Sequence, residues 1–495
     1  MTHTRLSVYL CVFLFCGPVY AAAQMNSSTA AAPAMQNTSS DSTPDAQPKQ
    51  TAMPIGTGQN PFLGGVPSGS VHPGVLPLSL SDAINRGLKY NLGLLLNEQG
   101  TRAARGARWQ ALSHLLPNVS AGVSGTREQI NLQALGFPSG FPGVPTIVGP
   151  FNVFDARGSL DQAILDLKDL NDERGESENV KAARYTYQDA RNLVVLVAAN
   201  LYLETVAGSS RVDSSRAEVA TSQAIYDRAV DLHKAGVVPG IDVLRSQVEL
   251  QAQQQRLILL QNEFQEDKLN LARAIGLPLA QEFSLTDKVP YTPAPSLRFE
   301  DALSQALHSR ADYQSALASV RAADAFKKAA LSERLPSINF HADYGDIGPA
   351  PDNSHETFTV AANLKIPIFQ GGKVKGDVLK ADAMLKQRQS QLSDLRSRIE
   401  YQVRTAFLDL RSSGDQVRVA QSAVNLAHQQ LKESQDRFAA GVVNSLEVVQ
   451  SQEAVATADE NYISSLYRYN IAKASLARAL GVAEQAFKQM IGGNP

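Results

Sequence analysis

Between Ile399 and Phe438, apolar and small side chains recur alternately four and three residues apart. They are Ile399, Val403, Ala406, Leu410, Ser413, Val417, Ala420, Val424, Ala427, Leu431, Ser434 and Phe438. This beat keeps one narrow seam on one side of a helix. The same beat passes through Val194, Ala198, Leu201, Val212, Val219, Tyr226 and Ala229. No proline occurs between Pro150 and Pro239 or between Pro367 and Pro495, so nothing there forces a helix to stop. A helix from about Lys375 to Phe438 would be on the order of 95 Å long at 1.5 Å per residue, more than any compact core needs. Taken alone, these helices fit a soluble coiled-coil rod equally well.

A second pattern has period two. Ile338, Phe340, Ala342 and Tyr344 alternate with Asn339, His341 and Asp343, while Phe358, Val360, Ala362, Leu364, Ile366 and Ile368 alternate with Thr357, Thr359, Asn363 and Lys365. Upstream, Val119, Ala121 and Val123 alternate with Ser120, Gly122 and Ser124, and Phe154, Ala156, Gly158 and Leu160 alternate with Asp155, Arg157, Ser159 and Asp161. The pattern predicts four amphipathic strands of about ten residues in two hairpins. Alternation also suits a half-buried soluble sheet. However, Asp155, Arg157, Asp161, Asp343 and Lys365 on the polar faces suit a wet lumen, and the strand length matches a tilted crossing of a bilayer. Past the N-terminus no run reaches the eighteen or so consecutive apolar residues of a transmembrane helix, so strands must make any crossing. In lipid every backbone N–H and C=O must be paired, so four strands need partners from other copies, and two or three copies satisfy a small barrel.

The chain also repeats itself. Asp82-Ala83 matches Asp301-Ala302 and Leu116-Pro117 matches Leu335-Pro336, both 219 residues apart. Ala235-Gly236-Val237-Val238 matches Ala440-Gly441-Val442-Val443, and Leu271-Ala272-Arg273-Ala274-Ile275-Gly276 matches Leu476-Ala477-Arg478-Ala479-Leu480-Gly481, both 205 apart. The first half is therefore longer, and the extra length falls in a Gly- and Pro-rich loop around Gln129 to Pro150. Each half reads helix, strand, loop, strand, very long helix, short turn, long helix. The expected boundaries are 77–290 and 291–482, with a C-terminal tail at 483–495.

Arg5, the apolar run Leu6 to Phe15 and the small-residue site Ala21-Ala22-Ala23 form a secretory signal over residues 1–23. Both cysteines, Cys11 and Cys16, lie inside it, so the mature chain has no disulfide and no thiolate metal site. Bulky Phe15 argues against lipidation at Cys16. Residues 24–76, rich in Ser, Thr, Ala, Pro, Gly and Gln, read as a flexible leader, with order beginning near Leu78. A net charge of −2 over 495 residues leaves no basic footprint for nucleic acid. The histidines His72, His114, His233, His308, His341, His355 and His428 are scattered without metal-site spacing, and no phosphate loop, nucleophile elbow or paired carboxylates appear, so no enzyme, cofactor or metal is expected. Trp109 reads as a packing residue, and Gly371-Gly372 as the close of a strand.

The duplicated Asp-Ala openings, the Leu-Pro junctions, the paired tip motifs and the Ala-Arg-Ala-Ile/Leu-Gly endings together resemble the TolC family of outer-membrane efflux proteins, from Leu78 to Val482. The resemblance implies an α+β membrane protein. Long antiparallel helical hairpins and four transmembrane strands per chain would form a homotrimeric twelve-stranded barrel over an α-helical periplasmic tunnel. It also implies the outer-membrane exit duct of a tripartite efflux or type I secretion system, sited in the outer membrane lipid and joined by a periplasmic adaptor to an inner-membrane pump. A periplasmic coiled-coil scaffold without transport activity is the alternative from another class.

The repeated tips each place a glycine at a helix break and an acid early in the next helix: Gly236, Val237, Val238 and Asp242 in one, Gly441, Val442, Val443 and Glu447 in the other. Each acid complements its helix N-terminus. By resemblance the tips are also adaptor-docking sites and form the periplasmic gate, where Asp242 and Glu447 would form rings of like charge. The family's second gate acid is replaced here by Gln450, with Arg245 as its first-half counterpart, and its arginine is replaced by Val443. A contact between Arg245 and Glu447 of neighbouring hairpins is the resulting expectation.

Overall fold

Helices dominate the computed structural model, in an order that runs twice through one plan. It describes residues 60–136, 145–287, 291, 293, 297–440, 442–443 and 445–486, all within one compact unit, Gly56–Pro495. The expected signal, most of the leader and residues 487–495 of the tail lie outside the described residues. The first half comprises β1 (Leu76–Leu78), α1 (Leu80–Tyr90), α2 (Leu92–Ser113), β2 (Asn118–Asn131), β3 (Ile147–Leu165), α3 (Leu167–Lys234) and α4 (Gly240–Ala274). The second comprises β4 (Phe283–Leu285), α5 (Phe299–Ser309), α6 (Ala311–Ser332), β5 (Ser337–Gly348), β6 (His355–Lys365), α7 (Lys373–Ala439) and α8 (Ser445–Ala479).

With 68 and 67 residues, α3 and α7 are each roughly 100 Å long. The predicted seam of α7 is its inner face: Ile399, Val403, Ala406, Ser413, Val417, Ala420, Ala427, Ser434 and Phe438 are all buried. On α3 the buried line passes through Val212, Ser215, Ser222, Ile225 and Ala229, so Ile225 takes the inner place expected for Tyr226. Small side chains let the helices approach closely enough for Ser434 and Ser451 hydroxyls to meet at 2.8 Å between α7 and α8. α3 also contains one stretch apolar and long enough to cross a membrane, which the sequence reading overlooked. Its residues Val194, Val195, Ala198, Ala199 and Tyr202 are instead the core of the bundle.

Each half contains a joint that the sequence reading merged into a single helix. α1 gives way to α2 at Asn91, which is 1% exposed. Its Oδ1 accepts the Gly93 N–H, capping α2, and its Nδ2 donates to the carbonyls of Phe62 and Ala274. At the equivalent break Arg310 is 3% exposed, forks onto Asp312, and donates to Gln402 and to the Ala479 carbonyl. In both halves a buried polar residue thus ties the break to the last turn of the return helix. Burial alone would push the Asp312 carboxyl up, but Arg310 and Arg478 hold it below its usual range. The repeated terminal glycines now have a reason. Gly276 and Gly481 adopt φ of +65° and +76°, and a Cβ there would lie 2.6 Å from Tyr90 or 2.8 Å from Arg310.

The four longer strands form one antiparallel sheet in the order β2-β3-β5-β6. Val119, Val123, Phe154, Tyr344, Phe358 and Val360 share one face; Ser120, Asp155, Arg157, Asp161, His341 and Asp343 share the other. On the polar face Arg157 bridges Asp155 and Asp343, and His341 lies between Asp161 and Asp343 at 2.7 and 3.3 Å. His341 is thus held between two carboxylates of the polar face. β2 and β3 run to 14 and 19 residues instead of about ten, taking up much of the first half's extra length. β6 ends at Lys365, leaving Ile366 and Ile368 beyond it, and Gly371-Gly372 open α7 instead of closing a strand. Trp109 is exposed on α2 and not packed.

Part of the expected leader is also fixed. Asn60 caps a short 3-10 turn, Phe62 lies against Gly93, and the Val66 N–H donates to Tyr90. Further on, β1 pairs in parallel with β4, joining the opening of one half to that of the other. Too few large apolar residues mark this segment for periodicity to reveal it. Beside it the Tyr202 hydroxyl, wholly buried, reaches the Leu78 carbonyl and the Asp287 carboxylate at 3.1 and 3.0 Å.

Two outcomes follow from this core. Tyr202→Phe should lower stability by about 1 to 2 kcal/mol in thermal melts followed by helical circular dichroism, because Asp287 loses a buried partner; an unchanged melt would show that the hydroxyl contributes nothing. Asp267 on α4 sits over Gly208, and burial, followed by the nearby Glu204, pushes its carboxyl up to about 6. A carboxyl raised in the folded state stabilises the fold only while protonated, so its ionisation weakens the fold as pH climbs from about 4 to about 6. Asp267→Asn should melt like the parent near pH 4 and above it beyond pH 6, and a constant difference across that range would refute the assignment.

Candidate functional site

Both hairpins end in the same turn. After α3, Gly236 takes φ +71° and the Val237 N–H donates to the Leu232 carbonyl at 2.9 Å. After α7, the Val442 N–H donates to the Arg437 carbonyl at 3.0 Å. This backward bond satisfies a carbonyl that the helix end leaves free, and the left-handed residue it needs explains the glycine. Gly441 lies outside the described residues. In the first turn His233 Nδ1 also lies 2.9 Å from the Val238 carbonyl, and Pro239 sets the start of α4.

The two tips share one apolar cluster. Ile225, Ala229, Phe438 and Val448 are buried in it, and Val238, Val243, Leu431 and Val443 pack against it. Of the expected docking residues, Val238 and Val443 therefore face inward, whereas Val237 and Val442 stand 56% and 70% exposed. Val443 contributes packing where the family pattern has charge.

The expected gate residues separate in the same way. Asp242, in the first turn of α4, is 3% exposed and accepts a 2.6 Å hydrogen bond from the Ser445 hydroxyl at the start of α8. Arg245 folds back toward the same carboxylate oxygen at 3.6 Å. Glu447 pairs at 2.8 Å with Arg437, across the turn from the last turn of α7. Gln450 is exposed. Within the chain the expected Arg245–Glu447 contact is not made, because each group has a nearer partner on or beside its own helix. Asp242 is likewise sealed by its own chain and offers no open carboxylate. Sequence reasoning missed Ser445 and Arg437. A serine opening α8 and a base ending α7 were both visible, but only folding shows that they meet Asp242 and Glu447.

The two ties differ in strength. An exposed ion pair such as Arg437–Glu447 is worth about 0.2 to 1 kcal/mol and is screened by salt. A buried hydrogen bond to a carboxylate is worth about 1.5 to 3 kcal/mol, and losing it strands a charge. Ser445–Asp242, which joins the two hairpins, is therefore the stronger of these two ties, and Arg437–Glu447 closes only the α7–α8 turn.

A profile of the family described as outer membrane efflux protein matches residues 302–482. The pyoverdine export outer membrane protein OpmQ of Pseudomonas aeruginosa is 24% identical over 332 residues, covering 64% of this chain and 67% of OpmQ. The toluene efflux pump outer membrane protein TtgF of Pseudomonas putida is 22% identical over 386 residues, 74% of this chain and 76% of TtgF. Among solved structures, the outer membrane protein VceC of Vibrio cholerae superposes with a TM-score of 0.70 at 17% identity, over 81% of this chain and 96% of VceC. Residues 302–482 match the outer membrane efflux protein family, and in its helical hairpins, its sheet and its duplicated plan the chain is similar to TolC-like channel proteins of the outer membrane.

Proposed function

We propose that three copies of this chain close a twelve-stranded barrel through the outer membrane and serve as the exit duct of a tripartite efflux system. One observation carries this reading: the four-stranded sheet exposes an apolar face, with Val119 and Phe358 each at least 75% exposed, while β2 and β6 are its end strands. Water could satisfy those edges, but lipid cannot. β6 of one copy pairing with β2 of the next removes every edge, turns the apolar face to lipid and encloses Arg157, Asp161, His341 and Asp343 around a wet bore. Residues 1–23 direct export and are removed, 77–290 and 291–482 are the two structural repeats, and 483–495 is a tail.

Below the barrel the helices span the periplasm, and the tips form its inner mouth. Val237 and Val442 are the exposed apolar contacts offered to a periplasmic adaptor, which joins the duct to an inner-membrane pump. The cargo is small molecules, as the names of OpmQ and TtgF suggest for those relatives. The mouth is held shut by Asp242 with Ser445 and by Arg437 with Glu447, while Arg245 and Gln450 line its approach.

Purified protein should give conducting channels in planar bilayers and a mass of three chains in detergent. A water-soluble monomer that never inserts would overturn the duct and favour a periplasmic scaffold. For the gate, Ser445→Ala should raise open probability several-fold more than Arg437→Ala, and high salt should mimic only the latter. If the Ser445→Ala, Arg437→Ala double variant conducts like the parent, the gate lies elsewhere.

A further inference from the structure

The chain's one tryptophan, Trp109, stands 66% exposed on α2, where neither the core nor the proposed duct uses it. It borders a groove rich in arginine. Arg102, Arg105 and Arg108 follow one another at three-residue intervals on α2, and Arg184 and Arg191 line the same groove from α3. The two helices run antiparallel: the Thr101 hydroxyl donates to the Ala183 carbonyl, and Arg108 meets Glu173 at 2.8 Å nearer the sheet. Each Cα–Cβ bond leans toward its helix N-terminus, so Arg105 leans away from the sheet while Arg184 leans toward it, and the two converge. Both border two adjoining hollows, one of about 330 Å³ beside Trp109 and one of about 860 Å³ that reaches Glu484 at the collar.

Charge in this groove does not balance. Glu98 holds Arg102, Glu173 holds Arg108, and Glu484 takes Arg191 in a forked bond at 2.8 and 3.0 Å. Other acids nearby on α3 are engaged elsewhere: Glu176 with Asn179, Glu178 with Lys181 and Arg321, and Asp189 with Arg478. Among the described residues, Arg105 and Arg184 form no ion pair and no side-chain hydrogen bond. Two guanidiniums on one hollow repel each other until an anion comes between them. Around them Gln188 and Gln485 offer neutral amides.

We propose that this groove binds an anionic saccharide, a sugar that carries a carboxylate. The carboxylate sits between Arg105 and Arg184, whose N–H forks match its two oxygens, the flat face of the ring lies on Trp109, and hydroxyls and amides of the sugar bond Gln188 and Gln485. A bare inorganic anion has no use for the exposed indole. A lipid headgroup is out of reach, because Arg184 lies seventeen residues into α3, roughly 25 Å from the sheet, and the headgroup layer is only about 5 to 8 Å deep. The amino-sugar wall of the periplasm supplies such carboxylates. That source rests on the duct reading above; the binding itself does not.

The full chain in detergent has its only indole at this groove, so Trp109 emission reports occupancy directly. N-acetylglucosaminyl-N-acetylmuramic acid should shift that emission saturably, and N,N′-diacetylchitobiose, a disaccharide of the same kind without the carboxylate, should bind about tenfold more weakly. Arg105→Gln with Arg184→Gln should bring the two sugars level and leave the thermal melt unchanged, since neither arginine has a partner to lose. Arg398→Gln, which removes a cation paired with Asp394 on α7, should alter neither titration. Equal binding of the two sugars by the parent, or a double variant that still tells them apart, would overturn the carboxylate site. Inorganic phosphate or tetraglutamate that shifts the emission as strongly at the same concentration would overturn the saccharide. Heat of binding without any change at Trp109 would place the sugar elsewhere and overturn the groove. Every arm reads binding by the purified chain, so failure here leaves a conducting trimer standing, and a chain that never conducts leaves the groove standing.

Discussion

Backbone amides have no substitute partner in a hydrocarbon layer, and that constraint reaches from the sheet into the rest of the molecule. A four-stranded sheet with one apolar face and two unpaired margins is incomplete as a single chain. Whatever completes it fixes the spacing and tilt of the helices hung beneath it, because β3 leads almost directly into α3, and β6 into α7 through a short link. The long helices then inherit a common axis and need only narrow seams of small residues to stay together. That accounts for a body of roughly 100 Å sustained by serines, alanines and valines, with few large core side chains.

The helical body is not one uniform coil. At its waist, the breaks at Asn91 and Arg310, the glycines Gly276 and Gly481 and the small β1–β4 pair gather the ends of helices into a collar. Below it, polar contacts alternate with apolar ones: Ser434 meets Ser451, Gln452 meets Ser222 and Ser445 meets Asp242, beside the cluster of Ile225, Phe438 and Val448. A collar built around buried Tyr202, Leu271 and Ile275 cannot move without opening a core.

Most of this architecture was legible in the residues. Period and proline placement gave α7 nearly to the residue and the presence of α3 and of both helical hairpins, since long regular elements leave a long regular signal. The duplication exposed the turns, and Gly236 with its positive φ shows why that motif recurs. What escaped was short or non-periodic. The joint at Asn91 looks like any asparagine within a helix until its amide is seen reaching Phe62 and Ala274. The segment from Asn60 to Leu76 is held by backbone bonds, which composition does not record. At the tips the acids were found, but their partners were assigned by family pattern. A five-residue turn instead brought Arg437 to Glu447 within one hairpin, and the packing of the two tips set Ser445 of one hairpin against Asp242 of the other.

The two joints at the waist occupy the same place in each repeat, yet one is a neutral amide and the other a sealed cation resting on Asp312. After duplication the position was kept and its chemistry diverged. Protonating Asp312 would leave the Arg310 guanidinium buried beside a neutral acid, a loss that Asn91 cannot suffer. The repeats are alike in shape but unlike in response, since acidity acts on the second joint and finds no titratable group in Asn91 itself.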